Sequence, residues 1–267
     1  MRNIVVLVKQ VPDMEKVQFD REKGVIDRRS AGVEINPFDL NALETAVQIG
    51  EKSGAKVTAI SMGPPSAEQA LRDCIARGAD RGILVSDRKF GGSDTKATSV
   101  ILASALKKMG TYDLIIAGEK TVDGDTGQVG PQIAEYLGLP HVSYVNSIKA
   151  TDGERIELCS EIWEGVYLKS VKLPALITVT KDINQPRLPS FKSKMAARKA
   201  EIEILDYEGL KACLSENEVG FKGSPTKVKK IDVPQAVTRK GKIYRNDDVE
   251  KGTNEIVQVL KTMKVLK

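Results

Sequence analysis

Gly118-Glu119-Lys120-Thr121-Val122-Asp123-Gly124-Asp125-Thr126-Gly127-Gln128-Val129-Gly130-Pro131 is the stretch on which the reading of this chain turns. The apolar run Asp113-Leu114-Ile115-Ile116-Ala117 comes before it, and the helical pattern Gln132-Ile133-Ala134-Glu135-Tyr136-Leu137, stopped by Gly138, comes after. Strand, glycine turn and helix build a ligand crevice at the carboxyl edge of an open α/β sheet. The glycines let backbone N–H groups approach a ligand, and the helix N-terminus favours a phosphate. Thr126 offers a hydroxyl. Asp123 and Asp125 repel phosphate, so they suit ribose hydroxyls or backbone N–H groups. An ordinary βα loop with two capping acids fits the same spacing, because glycine turns are common in α/β folds.

Working outward, strand and helix patterns alternate through the first half. Residues 3–8 read as a parallel strand, apolar on both faces. A loop or hairpin over 17–33 leads to Ile35-Asn36-Pro37-Phe38-Asp39, where Asn36 is a good N-cap, Pro37 suits the first helical position and Asp39 the first turn. That helix ends at Gly54. Residues 56–61 are the second strand. Met62-Gly63-Pro64-Pro65 turns, and Ser66-Ala67-Glu68-Gln69 reads as a capping box for a helix to Gly78. Residues 82–85 are the third strand, followed by Ser86-Asp87-Arg88-Lys89-Phe90-Gly91-Gly92-Ser93-Asp94-Thr95 and a helix to Gly110. Such alternation predicts a mainly parallel, Rossmann-like α/β sheet with right-handed crossovers. The loops at 36–39, 90–95 and 123–131 then converge on one sheet edge, beside Lys9 and Gln10 and beside Met62 and Gly63. That edge is the expected place for a nucleotide.

After Pro140 the texture changes. Residues 142–150 and 155–159 flank Asp152-Gly153, a hairpin signal. Residues 167–172 and 175–179 read as further strands, 181–189 as a Pro-punctuated loop and 191–199 as a basic helix. Residues 206–234 lack periodicity and read as an extended arm. Asn246-Asp247-Asp248 caps a last helix with Val249, Ile256, Leu260 and Met263 on one stripe, a face that needs something to pack on. Two domains are expected: 1–205 binding the nucleotide, and 206–267 as arm and helix.

Composition narrows the function. The 267 residues carry a formal net charge of +5. Basic residues are spread out except near 192–199, and aromatics are only 4%, so nucleic-acid binding is not expected. Cys74, Cys159 and Cys213 lie far apart with no C-x-x-C, which argues against a zinc site or an iron–sulfur cluster and for a reducing compartment. No stretch is long and apolar enough to cross a membrane. The apolar start is too short for a signal segment, so a cytoplasmic protein with no membrane insertion is expected. His141 reads as structural, Trp163 as packing or interface, and Cys74 as a small core hydrophobe.

Taken together, the segments resemble a known family nearly end to end. They are Val8-Lys9-Gln10-Val11-Pro12, Asn36-Pro37-Phe38-Asp39, Met62-Gly63-Pro64, Gly78-Ala79-Asp80, the run from Asp123 to Pro131, Leu173-Pro174-Ala175 and Met195-Ala196-Ala197-Arg198-Lys199. They resemble the beta subunit of electron-transfer flavoproteins. The resemblance implies an obligate heterodimer with an alpha subunit, which holds most of one FAD, and an AMP in the beta subunit. The segment from Ser86 to Thr95 further resembles the electron-bifurcating group, whose members hold a second FAD in place of AMP. In that reading Gly91 and Gly92 allow close approach, while Asp94 and Thr95 bond the flavin's polar edge or ribityl chain. The implied site comprises Leu7, Lys9, Asn36, Asp39, Met62 and Gly63; Phe90, Gly91, Gly92, Asp94 and Thr95; and Asp123, Asp125, Thr126, Gly127, Gln128, Val129 and Gly130. NADH is then the implied electron donor. An acyl-CoA or hydroxy-acid dehydrogenase and ferredoxin or flavodoxin are the implied acceptors. No side chain is assigned acid–base catalysis. The loop over 186–194 resembles the anchor that docks the dehydrogenase, with Leu188 or Phe191 as its apolar plug; the basic run beside it also reads as a plain solvated helix face. The stretch Glu161-Ile162-Trp163-Glu164-Gly165-Val166-Tyr167 departs from the family's Gly-Gly-x-Glu pattern, which leaves partner identity open. The segment Phe90-Gly91-Gly92-Ser93-Asp94-Thr95 is also similar to the Ser-Gly-Gly-x-Asp-Ser loop of ATP pyrophosphatases. There the loop follows the first strand; here it follows the third, with Phe90 in place of the leading Ser.

Overall fold

A computed structural model describes residues 1–13, 18–20, 25–27, 32–229 and 241–266. The chain divides into two compact units, residues 1–230 and 231–267.

In the first unit the strands are β1 (Asn3–Leu7), β2 (Gln10–Pro12), β3 (Gln18–Asp20), β4 (Val25–Asp27), β5 (Val33–Ile35), β6 (Lys56–Met62), β7 (Arg81–Val85), β8 (Leu114–Gly118), β9 (His141–Thr151), β10 (Arg155–Ile162), β11 (Gly165–Lys172), β12 (Ala175–Val179) and β13 (Ile202–Leu205). The helices are α1 (Pro37–Ser53), α2 (Glu68–Ala76), α3 (Thr95–Met109), α4 (Val129–Leu137), α5 (Phe191–Ala197), α6 (Tyr207–Leu210) and α7 (Gly220–Gly223). Nine strands form one sheet in the order β11-β10-β9-β12-β8-β1-β6-β7-β13. From β9 to β13 neighbouring strands run parallel; β10 and β11 add antiparallel pairs at one edge. This is the mainly parallel α/β sheet with a hairpin region read from the sequence.

Alternation along β1 explains the two layers. Ile4 and Val6 enter one core with Leu43 and Val47 of α1 and Leu71 of α2. Val5 and Leu7 enter the other with Ile101 and Leu106 of α3 and Ile133 of α4. Adjacent β1 and β8 are therefore followed by helices on opposite faces, which opens a crevice beyond their carboxyl ends.

Four local expectations change. Asn36 stands at the N-cap of α1, but its side chain makes no capping bond to the helix N–H groups. Ser66 lies inside a 3-10 turn, Pro65–Ala67, and α2 begins without a side-chain cap; the paired prolines fix φ and start the turn before a capping box can form. The edge strand β13 was not anticipated. Nor was the packing of the segment after it: Leu210, Leu214 and Val219 are buried in the α3 layer, so residues 206–229 belong to the compact first unit. Of the loop or hairpin read over 17–33, β3 and β4 pair antiparallel; residues 14–17, 21–24 and 28–31 lie outside the described residues, as do 230–240 of the expected arm. Cys74 is buried as expected, and burial pushes its thiol well above the ordinary value.

In the second unit α8 (Val249–Thr262) follows the turn Asn246–Asp248. Tyr244 packs over Gly252, and Lys242 and the Tyr244 hydroxyl both bond Glu255. Ile256, Val259 and Met263 are exposed. Among the described residues no helix is long and apolar enough to cross a membrane.

Candidate functional site

A crevice of about 610 Å³ lies at the carboxyl ends of β1, β6 and β8, within the range of small-molecule sites. The loop after β1 and the turn after β8 close its near side. The Lys9 ammonium ties them together, bonding both carboxylate oxygens of Asp123 at 2.7 and 2.8 Å. Burial alone would raise the Asp123 carboxyl, but bonds from Lys9 and Thr121 outweigh it and hold the group below its ordinary value.

The floor is built from groups far apart in sequence. Asn36 is fully buried. Its amide donates to the Lys120 carbonyl at 2.9 Å and accepts from Val122 N–H at 3.1 Å. It therefore fixes the entrance of the 118–131 turn instead of capping α1. Asp39 accepts from Lys9 N–H at 2.8 Å and Gly118 N–H at 3.2 Å, so one carboxylate joins the loop after β1, α1 and β8. Burial raises its pKa from 3.8 to about 7, against the lowering pull of Asn36, the two N–H groups and the Lys9 charge.

The two helices facing the crevice differ at their N-termini. α3 is capped by Asp94, which accepts from Ala97 N–H at 3.1 Å and also from Thr226 N–H and hydroxyl at 3.0 and 2.8 Å. Burial works to raise the Asp94 carboxyl, yet these donors keep it below its ordinary value. α4 has no capping side chain. Its first N–H groups, on Val129 and Gly130, have no intrahelical partner; both residues line the crevice, at the partially positive end of the helix. Thr95 of α3 donates to Gln128 before α4 at 2.9 Å, so the two helix starts are stitched together. Gly92 has φ +76, and a Cβ there would lie 2.3 Å from the Phe221 ring. The far loop is thus clamped from outside, with Ser224 accepting from Asp94 N–H and Gly220 N–H bonding Ser93.

Of the residues expected at the site, Leu7, Lys9, Asp39 and Met62 line the crevice. So do Phe90, Gly92, Asp94 and Thr95 on the far loop, and Asp123, Thr126, Gly127, Gln128, Val129 and Gly130 on the turn. Asn36 sits behind the floor, while Gly63 and Gly91 flank lining residues. Asp125 turns away: it is exposed and pairs with Lys120 at 2.8 Å. The expectation that Asp94 offers its carboxylate to a ligand meets a group already bonded to its own chain. Lining residues not foreseen include Ser93, Thr98 and Leu102. With Thr95, the last two follow helical spacing on α3, and that signal was present in the sequence. Leu188 and Phe191 lie apart from the crevice, 86% and 81% exposed.

The parts of a nucleotide find matching groups here. Uncapped N–H groups and Lys9 answer phosphate, hydroxyls of Thr95, Thr98 and Thr126 answer a polyol, and Leu7, Ile60, Met62 and Leu102 give apolar wall for a flat ring.

Comparison with known proteins agrees. The model of the electron transfer flavoprotein domain matches residues 23–209. The chain is 42% identical to the electron transfer flavoprotein subunit beta of Thermoanaerobacterium thermosaccharolyticum, over 99% of this chain and 100% of that one. It is 40% identical to the subunit of the same name from Megasphaera elsdenii, over 98% and 99%. It is also 42% identical to the caffeyl-CoA reductase-Etf complex subunit CarD of Acetobacterium woodii, over 87% and 88%. With a domain model matched over residues 23–209 and relatives matched over nearly the whole length, the chain belongs to the electron transfer flavoprotein family, as one of its beta subunits.

Proposed function

We propose that this beta subunit, paired with an alpha subunit, binds FAD in the crevice between β1 and β8 and forms the NADH-oxidising half of an electron-bifurcating flavoprotein. Bound there, FAD would supply hydride acceptance from NADH and one-electron delivery onward. The protein's part is to hold, orient and shield. The α4 N-terminus with Gly130 would hold the pyrophosphate, and Lys9, kept in place by Asp123, would add positive charge beside it. Thr95 and Thr98 would meet the ribityl chain. Met62, Phe90 and Leu102 would exclude water from the ring. The observation that carries the reading is that the crevice does not end at the phosphate turn. It continues to a second glycine loop, Gly92 to Thr95, joined to the turn by the Thr95–Gln128 bond.

One electron would pass to the alpha-subunit FAD and an acyl-CoA or hydroxy-acid dehydrogenase, the other to ferredoxin or flavodoxin. Relatives named for caffeyl-CoA reductase and acryloyl-CoA reductase support an acyl-CoA type. The exposed Leu188 and Phe191 would dock that dehydrogenase, and the bare apolar face of α8 would pack on the alpha subunit. The alternative is a plain carrier holding AMP, favoured by the single uncapped helix terminus, which one phosphate suffices to fill.

Heterodimer produced by co-expression should release two FAD and no AMP, and should oxidise NADH with ferredoxin present. One FAD and one AMP would leave the plain carrier. Neither nucleotide would mean the crevice serves another ligand.

A further inference from the structure

α1 buries a polar stripe that the crevice does not use. Asn41, Glu44 and Thr45 are each 6% exposed or less, and with Gln48 and Glu51 they recur every three or four residues, on one helical face. Every member of the stripe but Gln48 grips the chain between β12 and α5. Asn41 donates to the Asn184 carbonyl at 2.9 Å, and Asn184 donates back to the Asn41 carbonyl at 3.0 Å and to the Thr45 hydroxyl at 2.8 Å. Gln48 steadies Glu44 at 2.8 Å.

Arg187 is the centre of this grip. Its guanidinium bonds both oxygens of Glu44, at 2.8 and 3.1 Å, and both of Glu51, at 2.5 and 3.0 Å. Its own N–H bonds Glu44 at 3.1 Å, and Arg77, just past the end of α2, holds its carbonyl at 2.7 Å. Two planar bidentate pairs on one guanidinium fix direction as well as position. The next residue is Leu188, and Phe191 opens α5; both project into solvent. An exposed ring on a loop loses affinity by having to be ordered on binding, and a prepaid orientation removes that cost.

We propose that Arg187, clamped by Glu44 and Glu51, is a positioning residue for docking. It holds Leu188 and Phe191 in a ready orientation for an apolar recess on the electron-accepting dehydrogenase. The inference rests on the docking reading given above for Leu188 and Phe191. It adds that binding strength is set inside this subunit, by a clamp that never touches the partner.

The test uses the heterodimer with the dehydrogenase that the wild type reduces. Arg187→Lys keeps the charge but loses the fork, and Glu51→Gln removes half the clamp at an exposed position. Each is expected to raise the apparent KM for the heterodimer about three- to tenfold with kcat and bound nucleotide unchanged, and to speed trypsin cleavage after Lys192 and Lys194. Phe191→Ala should raise KM without affecting cleavage. In the Phe191→Ala background, Arg187→Lys should add little, since the residue it positions is gone. If Phe191→Ala raises KM while Arg187→Lys and Glu51→Gln change neither KM nor cleavage, the positioning role is wrong and docking stands. If Phe191→Ala also leaves KM alone, the docking reading itself falls. A fall in kcat or nucleotide content with KM constant would make the clamp merely structural.

Discussion

Gly118→Ala is expected to cost about 3 kcal/mol, lowering the melting temperature of the heterodimer by roughly 6–12 °C, and to strip the nucleotide from the crevice. A Cβ at this position would lie 2.4 Å from the Asp39 carboxylate and 2.7–2.8 Å from Phe38, including its backbone. None of those atoms can retreat. Asp39 is bonded to β8 and to the loop after β1, and Phe38 is in the first turn of α1. The added methyl must therefore push β8 away from α1, which opens the floor on which the turn from Glu119 to Gly130 rests. Gly124→Ala is the control on the same turn. Its Cβ would meet only the Thr121 hydroxyl, at 3.4 Å, so a change within about 0.5 kcal/mol is expected. Thermal unfolding and released nucleotide read both variants. A Gly118→Ala protein with wild-type melting and nucleotide content would show that β8 and α1 are not in contact as described.

Asp39 should give the protein an unusual pH response. Its pKa rises from 3.8 to about 7 because burial disfavours the charge. Unfolded, the same carboxyl has lost its proton above about pH 4. Between these values the folded chain holds a proton that the unfolded chain has released, so folding takes up a proton and stability falls as pH rises. The contribution is complete below about pH 4 and gone above about pH 7, a span of about 4 kcal/mol. Asp94, Asp113 and Asp123, whose carboxyls sit below their ordinary values, act in the opposite sense and weaken the protein as pH falls toward their own range. Comparison with Asp39→Asn isolates the one group. The stability of wild type relative to the variant should drop by about 3 kcal/mol between about pH 5 and about pH 8, in urea unfolding at each pH. A constant difference would mean that Asp39 stays ionised in the folded protein, held so by Lys9 and the two N–H groups.

These two residues also mark how far the sequence could be read. Asp39 and Gly118 belong to recognisable segments, and strand-end placement alone brought them to one edge. Their mutual contact, which sets the floor, depends on how α1 lies against β8 and has no local signature. Asn36 has the composition of an N-cap, yet buried amides satisfy their bonds wherever partners lie, and its partners are more than eighty residues away. Asp94 is the reverse case: Ser93-Asp94-Thr95 is an ordinary helix start, and the Asp94 carboxylate caps α3 as local chemistry supports. Residues 206–229 carry Leu210, Leu214 and Val219 at spacings too irregular and in helices too short for periodicity to detect.

The edge strand β13 has a consequence for how the chain reaches its native state. It pairs with β7 by placing Ile202 opposite Gly82, about 120 residues apart in the chain, and so long a loop closes slowly. Until it closes, β7 presents unpaired backbone to other molecules. Because β13 follows shortly after α5, the segment that carries Phe191 is drawn into place only when this last pairing forms. On the ribosome β1, β6, β7 and β8 can assemble with their helices from the first 140 residues or so while β7 still lacks its neighbour. A chain caught at that stage is open to edge-to-edge aggregation, so prompt capture of the remaining chain decides the yield of folded protein.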